Sequence, residues 1–263
     1  VALEVSATMV QADVCLDGAE VDDATKHCFF EVFKSGPHDV DKRVLNELGV
    51  RDSSSVRSIA LIIANDDYSE LGDSLQPVVR DRARLIDFLS SDQQFDEVIV
   101  LANKDASKEN IDYFLQDYLP QRSLTFEKVR LLIAYTGHGV PQGAANDPSL
   151  LLSGASDTRT PKYLYDLPTL RTRLLKLAEL DFHLLVLINA CFGGDIFKSP
   201  GIAGGNEDVT DKKGAFIITA GPSGVPVASL GGPTDGSIFF DNIIDGIRSG
   251  NADLDYNRLV SEN

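Results

Sequence analysis

Two side chains in this chain are equipped for covalent chemistry, and each follows a short apolar run. Cys191 stands in Asn189-Ala190-Cys191-Phe192-Gly193-Gly194, directly after Leu184-Leu185-Val186-Leu187-Ile188. His138 stands in Tyr135-Thr136-Gly137-His138-Gly139, after Val129-Arg130-Leu131-Leu132-Ile133-Ala134. A thiol at its ordinary pKa near 8.5 is mostly protonated at neutral pH, so it needs a base or a lowered pKa to act as a nucleophile. The imidazole, about fifty residues upstream, is such a base if the fold delivers both groups to one crevice. Gly139, Gly193 and Gly194 let main chain approach a substrate closely, and their location suits amide donors for a developing oxyanion.

The elements that must position these groups read as strands alternating with helices. Apolar runs of this length, rich in β-branched residues and ended by glycine, predict buried parallel strands, and open α/β sheets place their sites past the carboxyl ends of such strands. Residues 56–64 predict another buried strand, ending in the polar turn Asn65-Asp66-Asp67-Tyr68, and residues 95–101 and 215–220 two more. Residues 75–89 predict a helix with Val78, Val79, Leu85, Ile86 and Leu89 inward and Arg80, Asp81, Arg82, Arg84 and Asp87 on a solvated face. Further helices are expected from Ser107 through Tyr118, stopped by Pro120, over residues 164–180, and over residues 237–248. The fold class is therefore α/β, with a mainly parallel sheet covered on both faces.

Residues 1–50 behave differently from residues 51–263, the main domain. Leu3, Val5, Ala7 and Met9 alternate with polar residues, Asp17-Gly18 supplies a turn, and residues 27–33 predict a returning strand. We read a small N-terminal accessory β segment that finishes a neighbouring domain or contacts a partner or regulatory domain. Residues 193–213 are glycine-rich, polar and aperiodic, as a functional loop would be.

Composition narrows the function classes. A formal net charge of −16, with the acids spread along 263 residues, argues against nucleic-acid binding and favours encounter with basic polypeptides. No run reaches the roughly twenty apolar residues of a membrane span and no signal pattern opens the chain, so a cytoplasmic, non-membrane protein is expected. Cys15 and Cys28 read as buried thiols, and His27 and His38 lack the neighbours of a zinc site. P-loop, serine-elbow, Cys-x-x-Cys and His-Glu-x-x-His motifs are absent, and Gly221-Pro222-Ser223-Gly224 reads as a turn.

Strand, Gly-His-Gly, about fifty residues, then strand and Ala-Cys-x-Gly resembles the caspase, metacaspase and bacterial caspase-like peptidases, from about Val56 to the end of the chain. The resemblance implies a three-layer α/β/α sandwich and a cysteine endopeptidase working by a Cys-His dyad. It implies His138 as general base and acid, Cys191 as the nucleophile that forms a thioacyl intermediate, and the amides of Gly139 and Cys191 as the oxyanion hole. The segment 193–213 lies where caspases have a processing linker, with Lys198, Lys212 and Lys213 as cleavage points if P1 is basic. Asn189 replaces the acid that metacaspases usually carry two residues before the cysteine, and Asp66 and Asp67 stand where Asp-specific caspases need basic residues. A carboxylate there repels a P1 aspartate and attracts Lys or Arg, so P1 is expected to be basic or polar and read by Asp66, Asp67 and Asn189.

No cofactor is expected. Asn251, Asp253, Asp255 and Glu262 stand at calcium-loop spacing, but Tyr256 occupies the glycine position of that loop. Asp66, Asp67 and Asp73 are the other acids with calcium-binding potential and read as a solvated turn. The alternative function is a catalytically silent module of the same fold that binds or scaffolds a partner.

Overall fold

The apolar runs become the centre of one sheet. The structure, a computed structural model, describes residues 29–33, 49–50, 52–143, 146–181, 183–197, 211–227 and 236–252. In chain order the elements are β1 (Glu31–Phe33), β2 (Val56–Ala64), β3 (Asp67–Tyr68), β4 (Asp73–Ser74), α1 (Gln76–Asp87), β5 (Glu97–Ala102), α2 (Lys108–Tyr113) and α3 (Leu119–Thr125). There follow β6 (Lys128–Thr136), β7 (Gly139–Val140), β8 (Ser149–Leu151), β9 (Leu164–Asp166), α4 (Leu167–Leu180), β10 (His183–Asn189), β11 (Ala215–Thr219) and α5 (Ile238–Arg248).

The main sheet has six strands in the order β1-β5-β2-β6-β10-β11, all parallel except β1, which runs antiparallel to β5. Alternation along β2 explains why both faces are covered. Ile59, Leu61 and Ile63 pack with Ile111 of α2, Leu119 of α3 and Leu170, Leu174 and Leu177 of α4. Ala60, Ile62 and Ala64 pack with Val78 and Leu85 of α1 and Phe240 and Ile244 of α5. Each such aliphatic side chain taken from water contributes about 1.5–3 kcal/mol, so a strand buried on both faces must be apolar throughout. The result is a three-layer α/β/α sandwich with a mainly parallel central sheet.

Several elements differ from the sequence expectations for local reasons. Pro120 does not stop the helical path. A π-helical stretch, Phe114–Tyr118, whose wider turn closes with Leu119 N donating to the Phe114 carbonyl, carries the chain into α3 with Pro120 in its first turn. Residues 164–166 form β9 rather than helix. Asp166, with extended backbone, then caps α4 by accepting from Thr169 N at 2.8 Å. The strand at residues 215–219 is a sheet edge instead of a buried strand, and Ile218 is 44% exposed. Asp81 is fully buried rather than solvated.

Of residues 1–50, Glu31–Phe33 pair with the β5 edge of the main sheet. The proposed strand and turn before residue 29, Cys15, Cys28, His27 and His38 lie outside the described residues, as do Lys198 and the acids of the calcium-like spacing from Asp253 onward. Among the described residues no helix is long and apolar enough to cross a membrane.

Candidate active site

The site grows from the register of the two central strands. β6 and β10 pair in parallel with Thr136 opposite Asn189, so both chains leave the sheet at the same level. His138 and Cys191 each lie two residues beyond that pair. The ladder continues past the strands, where Gly137 N donates to the Asn189 carbonyl at 3.2 Å. Two residues on, the main chains touch: a Cβ on Gly139 would lie 2.0 Å from the Cys191 carbonyl oxygen. Only glycine permits that approach.

His138 is held from several sides. Its N–H donates to the Tyr68 hydroxyl at 3.0 Å, and its carbonyl accepts from Leu151 N at 3.0 Å, with the Tyr135 hydroxyl 2.9 Å away. The Tyr68 hydroxyl in turn donates to the Leu151 carbonyl at 2.8 Å. Burial pushes the Tyr68 and Tyr135 phenols well up, so both remain protonated donors at any working pH. The Tyr68 ring lies 4.5 Å from the imidazole, centroid to centroid, at 51°. Imidazole Nε2 lies 2.9 Å from Asp73 Oδ2. Tyr68 and Asp73 face each other across the β3–β4 hairpin, which Gly72 closes in the left-handed region at φ 74°.

Cys191 is half-buried, and Val227 N donates to its sulfur at 3.3 Å. The next residue, Phe192, has φ 60°, a left-handed conformation uncommon for a bulky side chain, and its N–H donates to the Val225 carbonyl at 3.2 Å. Such a bend costs on the order of 1–3 kcal/mol and persists where the surroundings impose it. Gly193 N donates to the Ala190 carbonyl at 3.2 Å, so that amide serves the turn rather than an oxyanion.

The sequence-selected acids lie in two places. Asn103 Oδ1 accepts from the amides of Asp66 (2.9 Å) and Asp67 (3.0 Å), and Asn103 Nδ2 donates to Asp66 Oδ1 at 3.0 Å. Asp67 Oδ1 accepts from Ser69 N at 3.0 Å, and its side chain stays exposed. Asn189 instead lies under the sheet end, with Nδ2 3.2 Å from Asp81 Oδ2 and 3.1 Å from Thr136 Oγ1. Asp81 also accepts from Thr136 Oγ1 at 3.1 Å and Ser237 N at 2.7 Å. Burial raises its pKa and these donors oppose the rise. Among the described residues no three His, Cys, Asp or Glu side chains cluster as metal ligands would.

Sequence reasoning named Asp73 as part of an acidic turn and Asp81 as part of a solvated face. It missed the contact of Asp73 with His138, the burial of Asp81 beneath Asn189, and the Phe192 bend. Asp81 had a signal: it falls three residues after Val78 and four before Leu85, on the same helical face. Asp73 had none, because its approach to His138 spans 65 positions of sequence and depends on the hairpin.

A family model described as the caspase domain matches residues 57–262. A search of curated proteins found no match.

Proposed function

Because the chain belongs to the caspase-domain family, a family of cysteine peptidases, we propose that it is an endopeptidase that hydrolyses peptide bonds in protein substrates by a Cys191–His138 dyad. The observation that carries the reading is the contact of the Gly139 and Cys191 main chains beyond the paired ends of β6 and β10. It brings the two reactive residues and two candidate amide donors into one small region.

In the proposed reaction His138 takes the thiol proton as sulfur attacks the scissile carbonyl carbon. The C=O π electrons move to oxygen, and the Gly139 and Cys191 amides receive the oxyanion. The His138–Leu151 hydrogen bond supports this role for Gly139. In an antiparallel ladder the residue after a bonded pair turns its N–H away from the partner strand, which leaves the Gly139 amide off the β7–β8 ladder. Collapse breaks the C–N bond, the amine leaves with the proton from His138, and water then hydrolyses the thioacyl bond with His138 as base. One well-placed oxyanion donor contributes about a hundredfold or more in rate.

The P1 residue is basic or polar. The reading is supported by Asp66 and Asp67 just past β2, where carboxylates would oppose a P1 aspartate although Arg82 lies 4.0 Å from Asp66 Oδ1, and by Asn189 beside the Asp81 carboxyl. The chain works without a cofactor, in the cytoplasm, with residues 1–50 as an accessory segment contacting a partner or regulatory domain. A peptide acyloxymethyl ketone should label Cys191, and His138→Ala should abolish the labelling. Fluorogenic peptides differing only at P1 should be cut faster after Lys, Arg or Gln than after Asp. Faster cleavage after Asp overturns the P1 assignment, and undiminished labelling of His138→Ala overturns the dyad.

A further inference from the structure

We propose that Asp73 is the positioning residue of the site, holding His138 in one tautomer and supporting its protonated form during turnover. This inference rests on the peptidase reading. The geometry is direct. Asp73 Oδ2 lies 2.9 Å from His138 Nε2, while Asp73 Oδ1 accepts from Ser74 N at 2.7 Å, so the carboxylate is fixed at both oxygens. An ionised carboxylate can only accept, so Nε2 carries the hydrogen and Nδ1 is the nitrogen left to exchange a proton with sulfur. The ring cannot turn freely, because Tyr68 packs against it and its own main chain is bonded through Tyr68 and Leu151.

The Tyr68 ring of β3 packs on the imidazole and Asp73 of β4 meets its Nε2, while the Tyr135 hydroxyl of β6 lies on the His138 carbonyl, Asp66 lies near Tyr68, and Cys191 beyond β10 has its carbonyl against Gly139. Both phenols are neutral, so Asp73 is the formal charge in hydrogen-bond contact with the ring. The hydrogen bond from His138 also holds the Asp73 carboxyl below the usual carboxylate range, which keeps it ionised wherever the enzyme would work. His138 is 32% exposed and Asp73 50%. A pair this exposed contributes little to stability, so its worth lies in orientation and charge at the transition state.

The test compares Asp73→Asn and Asp73→Glu with the parent chain, using a fluorogenic peptide and, separately, iodoacetamide alkylation of Cys191 followed by mass spectrometry. Asn keeps the shape and removes the charge. For Asp73→Asn, kcat should fall by about tenfold or more with KM within about twofold. The alkaline limb of the kcat/KM profile should move to lower pH, since the imidazolium loses its counter-charge. Alkylation at about pH 6.5 should slow at least ~3-fold, because a thiolate–imidazolium pair forms less readily. Asp73→Glu should recover part of each loss, while melting temperatures stay alike.

If the parent hydrolyses peptides and Asp73→Asn matches it in kcat, pH profile and alkylation, the role of Asp73 is overturned while the peptidase reading stands. If no peptide is cut but the alkylation difference appears, the peptidase reading fails and the His138–Asp73 pairing is supported. Equal alkylation with no hydrolysis overturns both.

Discussion

Gly139 carries more of the site than its size suggests. Its Cα has the Cys191 carbonyl where a side chain would begin, at 2.0 Å, and the nearby Ala190 Cβ at 3.3 Å. In Gly139→Ala the two main chains must separate by an ångström or more. A displacement of that order at a catalytic group costs about a hundredfold in rate. We expect kcat/KM for a peptide substrate to fall by about that factor, with a lowered melting temperature. A variant with unchanged kinetics would show that the contact does not align the dyad. The residue scale also explains the treatment of Asn189. It stands at a position expected to touch substrate, and its amide is engaged by Asp81 and Thr136 beneath. Its part in specificity would be exercised through what remains of its surface above that network.

The ends of elements, more than their middles, decide how α4 meets the sheet. Its C-terminal neighbour Asp181 accepts from the buried Ser123 hydroxyl of α3, and burial pushes its carboxyl up to about 7. Its folded pKa thus lies above the unfolded value of 3.8. The native state therefore binds the extra proton between those values, and the contribution is full below about pH 4 and lost as pH rises through about 7. Asp181→Asn should leave the melting temperature little changed near pH 4 and raise it near pH 8, read by calorimetry. A parallel shift at both values would place the effect elsewhere. The stretch joining β10 to β11 bears on the same scale. Lys212 pairs with Glu179 of α4 at 3.3 Å, while Lys213 is exposed. If P1 is basic, the active chain should be cut after Lys198 or Lys213, and Cys191→Ala should stay intact by mass.

At the scale of the whole molecule, the charge of −16 acts over distance. Cationic peptides are drawn in and acidic ones repelled, and at 0.15 M salt such fields fade within about 8 Å. The kcat/KM for a Lys- or Arg-containing peptide should accordingly fall as salt rises from about 20 to 200 mM, chiefly through KM, and that for a neutral peptide should hold steady. An equal response of both peptides would remove steering from the account.

Much of this was legible in the chain itself. Apolar runs at β2, β5, β6 and β10 announced strands buried on two faces, and glycines beside a histidine and a cysteine announced where those strands give out. That information is local: side-chain size and polarity bias a few neighbouring residues toward strand, helix or turn. Periodicity also placed the inner residues of α1, although the charges around Asp81 disguised an acid among them. Tertiary structure decided what locality cannot. It brought Asp73 to His138, put Asp81 beneath Asn189 and Ser237, left β11 at an edge, and turned Pro120 from a stop into the first turn of a helix. Each of these depends on the pairing and packing of segments far apart in sequence, an energy that belongs to the assembled sheet and to no single stretch.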